Sequence, residues 1–106
     1  MKKGMGKYGA IRTEVDGIVF ASKKEARRYR ELSLLQKAGL ISNLGLQPKY
    51  RLLVKDELIC TYIGDFIYLS SGGGIVVEDV KGFKTPVYRL KKKLMKAIYG
   101  IEIKET

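Results

Sequence analysis

The 106-residue sequence contains no histidine, no tryptophan, two prolines and a single cysteine, Cys60. Without imidazole it cannot form an HNH or ββα-metal nuclease centre, a ribonuclease A-type acid–base pair, a Cys/His nucleophilic pair or an ordinary zinc finger. One cysteine excludes an internal disulfide framework and is typical of a reducing compartment, so we interpret Cys60 as a strand-core residue. Acid–base or metal chemistry in this chain would therefore depend on carboxylates and lysine.

Long apolar runs are also missing from the sequence. No charge-free segment is long enough to span a bilayer, and the first residues lack the apolar core of a signal peptide. We therefore expect a cytoplasmic protein. The length predicts one domain, residues 11–106, preceded by a basic, glycine-rich lead at residues 1–10 that we expect to be flexible.

Acidic residues are few compared with basic ones. The sequence has 21 Lys and Arg against 11 Asp and Glu, which gives a net charge of +10 and a pI near 9.8. Such a balance favours a polyanionic partner, which is nucleic acid or, as the less favoured alternative, an anionic membrane surface.

An apolar, β-branched run at residues 75–82 carries two acids and a lysine before it ends on Gly82. Alternate side chains of a strand share a face, so Asp79 and Lys81 should project together, ~7 Å apart. A strand this apolar should lie inside a sheet, where a carboxylate is costly unless something compensates it. A bound divalent cation would compensate it.

Residues 58–69 are predicted to form the preceding strand, with Asp65 in its middle on the face of Ile67 and Leu69. The glycine-rich segment that follows predicts an antiparallel hairpin. An odd loop, residues 71–73, would place Asp65 directly opposite Asp79, and the two carboxylates would be neighbours. An even loop without a bulge would place them on opposite faces of the sheet.

Two helices are predicted. The first runs from Ser22 as N-cap to Ala38 and ends at Gly39. The second has Thr85 as N-cap and Pro86 at its first position, and ends near Tyr99 and Gly100.

The remaining elements are shorter. Asp16 and Gly17 predict a tight hairpin near the start of the domain. Residues 40–54, with Pro48 inside, are interpreted as a loop that leads into an edge or bulged strand. Residues 101–104 are a candidate for a final short strand.

Glu25 has two interpretations. It begins the inward-facing stripe of the first helix, which would make it a candidate ligand. The spacing Ser22-x-x-Glu25 is also that of a capping box, in which the glutamate accepts a hydrogen bond from the N-cap amide. Spacing alone favours the cap.

Both helices carry basic faces. On the first helix, Arg28 and Arg30 add to a cationic cover, and no acid lies between Val80 and Ile101 around the second helix. A run of like charges is usually a solvated surface. A basic run that contains no acidic residue and lies beside a candidate metal site instead favours contact with phosphate. The predicted DNA-binding residues are Lys23, Lys24, Arg27, Lys84, Arg89, Lys92, Lys93 and Lys96. The second helix also has an apolar stripe of Val87, Leu90, Leu94 and Ala97.

The order of helix glutamate, strand aspartate, acid-x-lysine and basic helix resembles the PD-(D/E)XK, or restriction-endonuclease-like, superfamily. Residues 22–29, 46–48, 64–66 and 78–85 are similar to a family of small phage proteins of that fold, regarded as endonucleases or Holliday-junction resolvase-like enzymes. The resemblance implies an α/β (α+β) fold with a restriction-endonuclease-like core, in which a central mixed β-sheet is flanked by helices.

The resemblance also implies the roles of individual residues. It assigns metal binding to Glu25, Asp65 and Asp79, with the carbonyl of Val80, and makes Lys81 the catalytic lysine. Two further candidates come from the residues themselves: Gln47, which could contact a bound water or phosphate but for which a structural role is favoured, and Glu78, a ligand only if a bulge shifts its strand. The sequence departs from the family pattern at Gly64, which replaces the usual proline before the strand aspartate.

The implied activity is Mg²⁺-dependent hydrolysis of phosphodiester bonds in branched DNA, with Mn²⁺ as a substitute. A homodimer is expected because resolving a branch requires paired incisions, and phage origin would place the protein in the host cytoplasm. Alternatives are a sequence-specific or nicking endonuclease of the same fold, a non-catalytic basic nucleic-acid-binding module, and an RNase H-like resolvase.

Overall fold

The structure is a computed structural model and describes residues 11–106; the predicted flexible lead at residues 1–10 lies outside the described residues. Two helices and eight strands within residues 11–106 confirm the predicted mixed α/β class. In chain order the elements are β1 (Thr13–Val15), β2 (Ile18–Phe20), α1 (Lys23–Lys37), β3 (Ile41–Leu46), β4 (Lys49–Val54), β5 (Glu57–Ile63), β6 (Phe66–Ser70), β7 (Ile75–Asp79), α2 (Pro86–Tyr99) and β8 (Lys104–Glu105). Within this part of the chain, no helix has the length and apolar character needed to cross a membrane.

The central sheet has the strand order β3-β6-β7-β8. β3, β6 and β7 are antiparallel neighbours, while β8 runs parallel to β7, so the sheet is mixed as predicted. In the β6–β7 hairpin Phe66 pairs with Glu78, and the N–H of Ser70 donates to the carbonyl of Gly74 at 2.9 Å. The loop therefore has the predicted odd length, and the same register sets Asp65 opposite Asp79.

The single strand predicted over residues 58–69 is wrong. The chain breaks at Gly64 and Asp65 into β5, which pairs only with β4 in a separate hairpin, and β6, which enters the central sheet. The N–H of Gly64 donates to the carbonyl of Pro48 at 3.0 Å, and a Cβ at position 64 would lie 3.1 Å from a methyl group of Val77. A proline at position 64 would lack this N–H and crowd Val77, which explains its absence.

Two further boundaries differ from the prediction. The segment expected to be a loop after α1 is β3, an edge strand whose pairing is irregular between Ser42 and Gly45. Asn43, within this irregularity, has φ +56°, a backbone conformation that asparagine tolerates better than most residues. The last strand lies at Lys104–Glu105 rather than at residues 101–104.

The central sheet separates two apolar cores. Phe66 and Tyr68 of β6 face α1, whereas Val77 of β7 faces α2 and the β4–β5 hairpin. Cys60 is partly buried against the second core, as predicted. Because neighbouring strand residues point to opposite faces, Glu78 lies on the α1 face and Asp79 on the α2 face.

Both helices have the predicted caps. Ser22 Oγ accepts the N–H of Glu25 at 3.1 Å, and Thr85 Oγ1 accepts the N–H of Tyr88 at 3.0 Å. Gly39 and Gly100 follow the two helices with φ of +80° and +70°, which glycine adopts without a Cβ penalty.

Only part of the predicted apolar stripe of α2 packs against the core. Tyr88 and Met95 are buried and Leu94 is partly buried, whereas Val87 and Leu90 are 61% and 54% exposed. Helix periodicity groups residues into faces but does not decide which face meets the core when two faces are apolar.

Candidate functional site

Four predicted site residues come together at the end of β7. Lys81 Nζ lies 3.2 Å from Asp79 Oδ1. Asp65, just before β6, reaches across the hairpin and accepts the N–H of Val80 at 2.7 Å through Oδ2. Glu25, in the first turn of α1, approaches Asp65 closely enough to raise the pKa of that carboxyl. Asp65, Asp79 and Lys81 therefore share one partly buried site, with Glu25 at its edge.

The two aspartates of the site are held in an environment that disfavours their charge. Burial, followed by the Glu25 carboxyl group, raises the pKa of Asp65 to about 6. Burial also raises the pKa of Asp79, and the neighbouring Asp65 adds to this effect, while Tyr62 and Lys81 oppose it. Carboxyl groups whose pKa values are raised by burial and by one another are typical of functional sites.

Two tyrosines that the sequence analysis missed complete the site. The hydroxyl of Tyr62 donates to Asp79 Oδ2 at 2.6 Å, and Lys81 Nζ lies 4.4 Å from the ring centroid of Tyr88. The lysine is therefore held between a carboxylate and an aromatic face. The available signal was composition, because seven tyrosines against three phenylalanines indicate that buried rings in this chain often carry a hydroxyl that needs a partner.

The donor set of the site consists of oxygen atoms, which hard divalent cations prefer. Within residues 11–106, no three acidic or cysteine side chains are already gathered as a complete metal site, and Lys81 supplies the positive charge beside Asp79. A bound cation would favour the ionised form of both aspartates, whose pKa values are raised in its absence. Asp65 and Asp79, with Glu25, therefore fit Mg²⁺ or Mn²⁺ by their chemistry. The carbonyl of Val80 stays a predicted ligand.

The structure shows a capping role for Glu25, and its role as a metal ligand stays a prediction. Its Oε1 accepts the N–H of Ala21 at 3.1 Å, so it caps the helix one residue earlier than an ordinary capping box. The same side chain lies beside Asp65. A helix cap thus holds the third acid at the edge of the site.

Comparison with known proteins adds a family. A family model described as "Protein of unknown function (DUF1064)" matches residues 5–106. The chain belongs to the DUF1064 family. No curated protein and no solved structure matches the chain. The family description assigns no activity, so the resemblance to PD-(D/E)XK nucleases stays a prediction.

In the DUF1064 protein, Gln47, the first of the two further candidate residues, contacts the site through its backbone. Gln47 is exposed with φ +51°, and its N–H donates to the carbonyl of Asp65 at 3.0 Å. This contact fixes the backbone of Asp65 where the chain passes from one sheet to the other.

Glu78, the second further candidate, lies outside the site. Its side chain is fully buried on the α1 face, where it accepts hydrogen bonds from Arg28 Nε at 2.8 Å and Nη2 at 2.7 Å and from the hydroxyl of Tyr68. The β6–β7 pairing around it is regular, so the bulge that would turn Glu78 toward Asp79 does not form. Burial alone would raise the pKa of Glu78, but the bonds from Arg28 and Tyr68 hold it below its ordinary value.

The predicted basic residues of the DUF1064 protein lie on two surfaces. Lys23, Lys24 and Arg27 are exposed on α1, and Lys24 Nζ donates to the carbonyl of Lys81 at 3.3 Å. The other surface is a groove of about 490 Å³ along α2 and β8. Its lining residues are Lys84, Arg89, Lys92, Lys93, Lys96, Glu102 and Glu105.

Proposed function

We propose that this DUF1064 protein is a metal-dependent endonuclease with a restriction-endonuclease-like core that hydrolyses phosphodiester bonds in branched DNA, in the manner of Holliday-junction resolvases. The observation that carries the proposal is the meeting of Asp65, Asp79 and Lys81, with Glu25 at the edge, in one partly buried site. The net charge of +10 and the basic groove along α2 support a polyanionic substrate. The single cysteine suits a cytoplasmic protein.

The residues of the site have distinct roles in this proposal. Lys81 positions the attacking water and, as an ammonium group, stabilises negative charge that develops on the phosphate. Asp79 and the ring of Tyr88 hold the Lys81 ammonium group in place, and the hydroxyl of Tyr62 orients the Asp79 carboxylate. Asp65, Asp79 and Glu25 would hold a divalent cation, which lowers the pKa of water and neutralises charge on the scissile phosphate.

The test is a cleavage assay with labelled four-way junction, flap and linear duplex DNA, with and without Mg²⁺ or Mn²⁺. Asp79→Asn and Lys81→Ala should abolish cleavage and leave binding in EDTA largely unchanged. Lys37→Ala, which removes an exposed lysine in the last turn of α1, is the matched control and should cut normally. Full activity in Asp79→Asn or Lys81→Ala would refute the proposed roles.

A non-catalytic nucleic-acid-binding module is the second candidate, and the basic groove favours it. Such a module would bind the same DNA without metal-dependent cutting, so nicking that requires Mg²⁺ would exclude it. Competition between junction and linear duplex separates the structure-selective enzyme from a sequence-specific or nicking endonuclease of the same fold.

We also propose a homodimer, because one site cuts one strand and a branch needs two incisions related by two-fold symmetry. Phe83, Val87 and Leu90 are exposed at the start of α2, where Val87 and Leu90 are one helical turn apart. Exposed apolar patches mark interaction surfaces. A second copy of the chain that packs against Phe83, Val87 and Leu90 would bury these side chains.

A further inference from the structure

Glu105, on β8, is held by three donors. Lys84 Nζ lies 2.9 Å from Oε1, Lys92 Nζ lies 3.0 Å from Oε2, and the hydroxyl of Tyr88 donates to Oε2 at 2.7 Å. The hydrogen bonds from Tyr88, Lys84 and Lys92 lower the pKa of Glu105 to about 2. The structure therefore contains a preformed oxyanion position made of two ammonium groups and a hydroxyl, and a carboxylate fills it.

This position adjoins the candidate active site. β8 pairs with β7 so that Glu105 stands opposite Asp79, and the ring of Tyr88 lies under Lys81 Nζ while its hydroxyl bonds Glu105. The side chains of Lys84 and Lys92 are about half exposed, at 49% and 42%, so a ligand can approach them from solvent. The groove continues from here along α2 past further cationic side chains, those of Arg89, Lys93 and Lys96.

The same donors suit a phosphate group. Ammonium groups and hydroxyls bond phosphate oxygens as they bond carboxylate oxygens, and lysines supply the counterion release that drives binding to DNA. Three of the five cations in the groove are nevertheless paired with acids of the chain itself, Lys96 with Glu102 and both Lys84 and Lys92 with the single acid Glu105. A nucleic acid that enters the groove must compete with these acids.

We propose that the oxyanion position formed by Lys84, Lys92 and Tyr88 is a binding site for a backbone phosphate of the DNA strand. Glu105 occupies the site in the free protein, and the phosphate displaces its carboxylate when DNA binds. The inference rests on the proposed function only in taking DNA as the ligand. Glu105 then weakens binding and favours DNA that engages the rest of the surface as well.

A structural role for Glu105 gives the opposite expectation. If the carboxylate only orients the two lysines, its loss lets them move and weakens DNA binding. The sign of the change in affinity on neutralising Glu105 therefore decides between the two roles.

The experiment measures binding of a fluorescent four-way junction in EDTA, where cleavage does not interfere, over a range of NaCl concentrations. Glu105→Gln should bind about tenfold more tightly, because a phosphate no longer competes with a charge-assisted carboxylate. Lys92→Gln should cost more affinity in the Glu105→Gln background than in the natural protein. Glu57→Gln, at the exposed start of β5, makes the same change in net charge outside the groove and should change affinity much less.

Several outcomes would overturn the inference. Weaker or unchanged DNA binding by Glu105→Gln would show that Glu105 only holds the two lysines in place. An equal gain in DNA affinity in Glu57→Gln would show that the gain comes from the change in net charge. Should Glu105→Gln fail to fold, Glu105→Asp, whose shorter side chain withdraws the carboxylate from the lysines, must show a gain of the same sign. If Glu105→Gln binds DNA more tightly but the natural protein does not cleave DNA in Mg²⁺, the phosphate site is supported and the nuclease proposal is contradicted. The two proposals therefore fail separately.

Discussion

Asp65→Asn should stabilise the protein at neutral pH in the absence of metal, although it removes a group that the proposed reaction needs. Burial and the neighbouring Glu25 raise the pKa of Asp65 from 3.8 to about 6, so folding at pH 7 places a charge where it is disfavoured. Asparagine has the same shape, and its carbonyl oxygen can still accept the N–H of Val80.

The size of the effect follows from that pKa. At 1.36 kcal/mol per pKa unit, a rise from 3.8 to about 6 corresponds to ~3 kcal/mol at pH 7. Asp65 is only partly buried, so solvent screening reduces the expected gain to about 1–2 kcal/mol. A gain of this size from removing a charged side chain would be unusual among mutations, most of which destabilise.

The pH dependence gives the prediction its sign. The pKa of Asp65 is higher in the folded than in the unfolded state, so the folded state binds more protons and is favoured at low pH. The penalty is absent below about pH 3.8, grows between pH 3.8 and 6, and is complete above pH 6. Asp65→Asn and the natural protein should therefore have similar stabilities near pH 4 and differ most above pH 6.

The assay is urea unfolding at pH 4, 5 and 7 in EDTA, repeated at pH 7 with Mg²⁺. Metal that binds the folded natural protein should narrow the difference at pH 7, because the variant lacks one of the ligands. Asp56→Asn, in the exposed β4–β5 turn, is the matched control and should change little. A less stable Asp65→Asn at pH 7, or a difference that does not vary with pH, would refute the argument.

Two further predictions concern the fold and the assembly. Arg28→Met should lower the free energy of unfolding by about 3 kcal/mol at pH 7, because it leaves the fully buried Glu78 without its cation. The loss of stability should shrink below pH 4.5, where Glu78 can protonate. Urea unfolding would measure this loss, and Arg30→Met, at an exposed residue, should be nearly neutral. Leu90→Gln should shift light scattering of the complex with junction DNA from dimer toward monomer, whereas Val19→Gln, at a residue that is also 54% exposed, should not. A natural protein that is monomeric on junction DNA would contradict the dimer.

The pairing of the two aspartates could be predicted from sequence because it depends on local chain geometry. Loop length fixes the register of a hairpin, and alternation along a strand fixes the face of each side chain. The three-residue loop 71–73 therefore implied that Asp65 stands opposite Asp79, and the structure has this register. The caps Ser22 and Thr85 were predictable for the same reason.

The structural features that the sequence analysis did not predict depend on contacts between residues far apart in the chain. The break before Asp65 arises because Gly64 meets the carbonyl of Pro48 and the side chain of Val77, neither of which a local pattern reveals. Arg28 looked like part of a solvated cationic face of α1, yet its partner Glu78 lies 50 residues further along the chain. Helix periodicity gave no means of separating this one inward arginine from its exposed neighbours.

The bend at Gly64 assembles both sides of the candidate site in one step. Tyr62, before the bend, gives its hydroxyl to Asp79, and Asp65, after it, accepts the N–H of Val80. Had the chain continued as one strand, β5 and β6 would lie in a single line, and Tyr62 would be carried past the end of β7. The two-sheet architecture is therefore what allows a tyrosine and an aspartate three residues apart to contact the same strand end.

That strand end also separates two neighbouring acids by their chemistry. Glu78 points to the α1 face, where Arg28 and Tyr68 hold its pKa below the ordinary value. Asp79 points to the α2 face, where burial and Asp65 raise its pKa despite Tyr62 and Lys81. A structural ion pair satisfies its acid, whereas a site built to hold a cation leaves its acids disfavoured while no cation is bound. The opposite directions of these two pKa shifts support a structural role for Glu78 and the proposed catalytic role for Asp79.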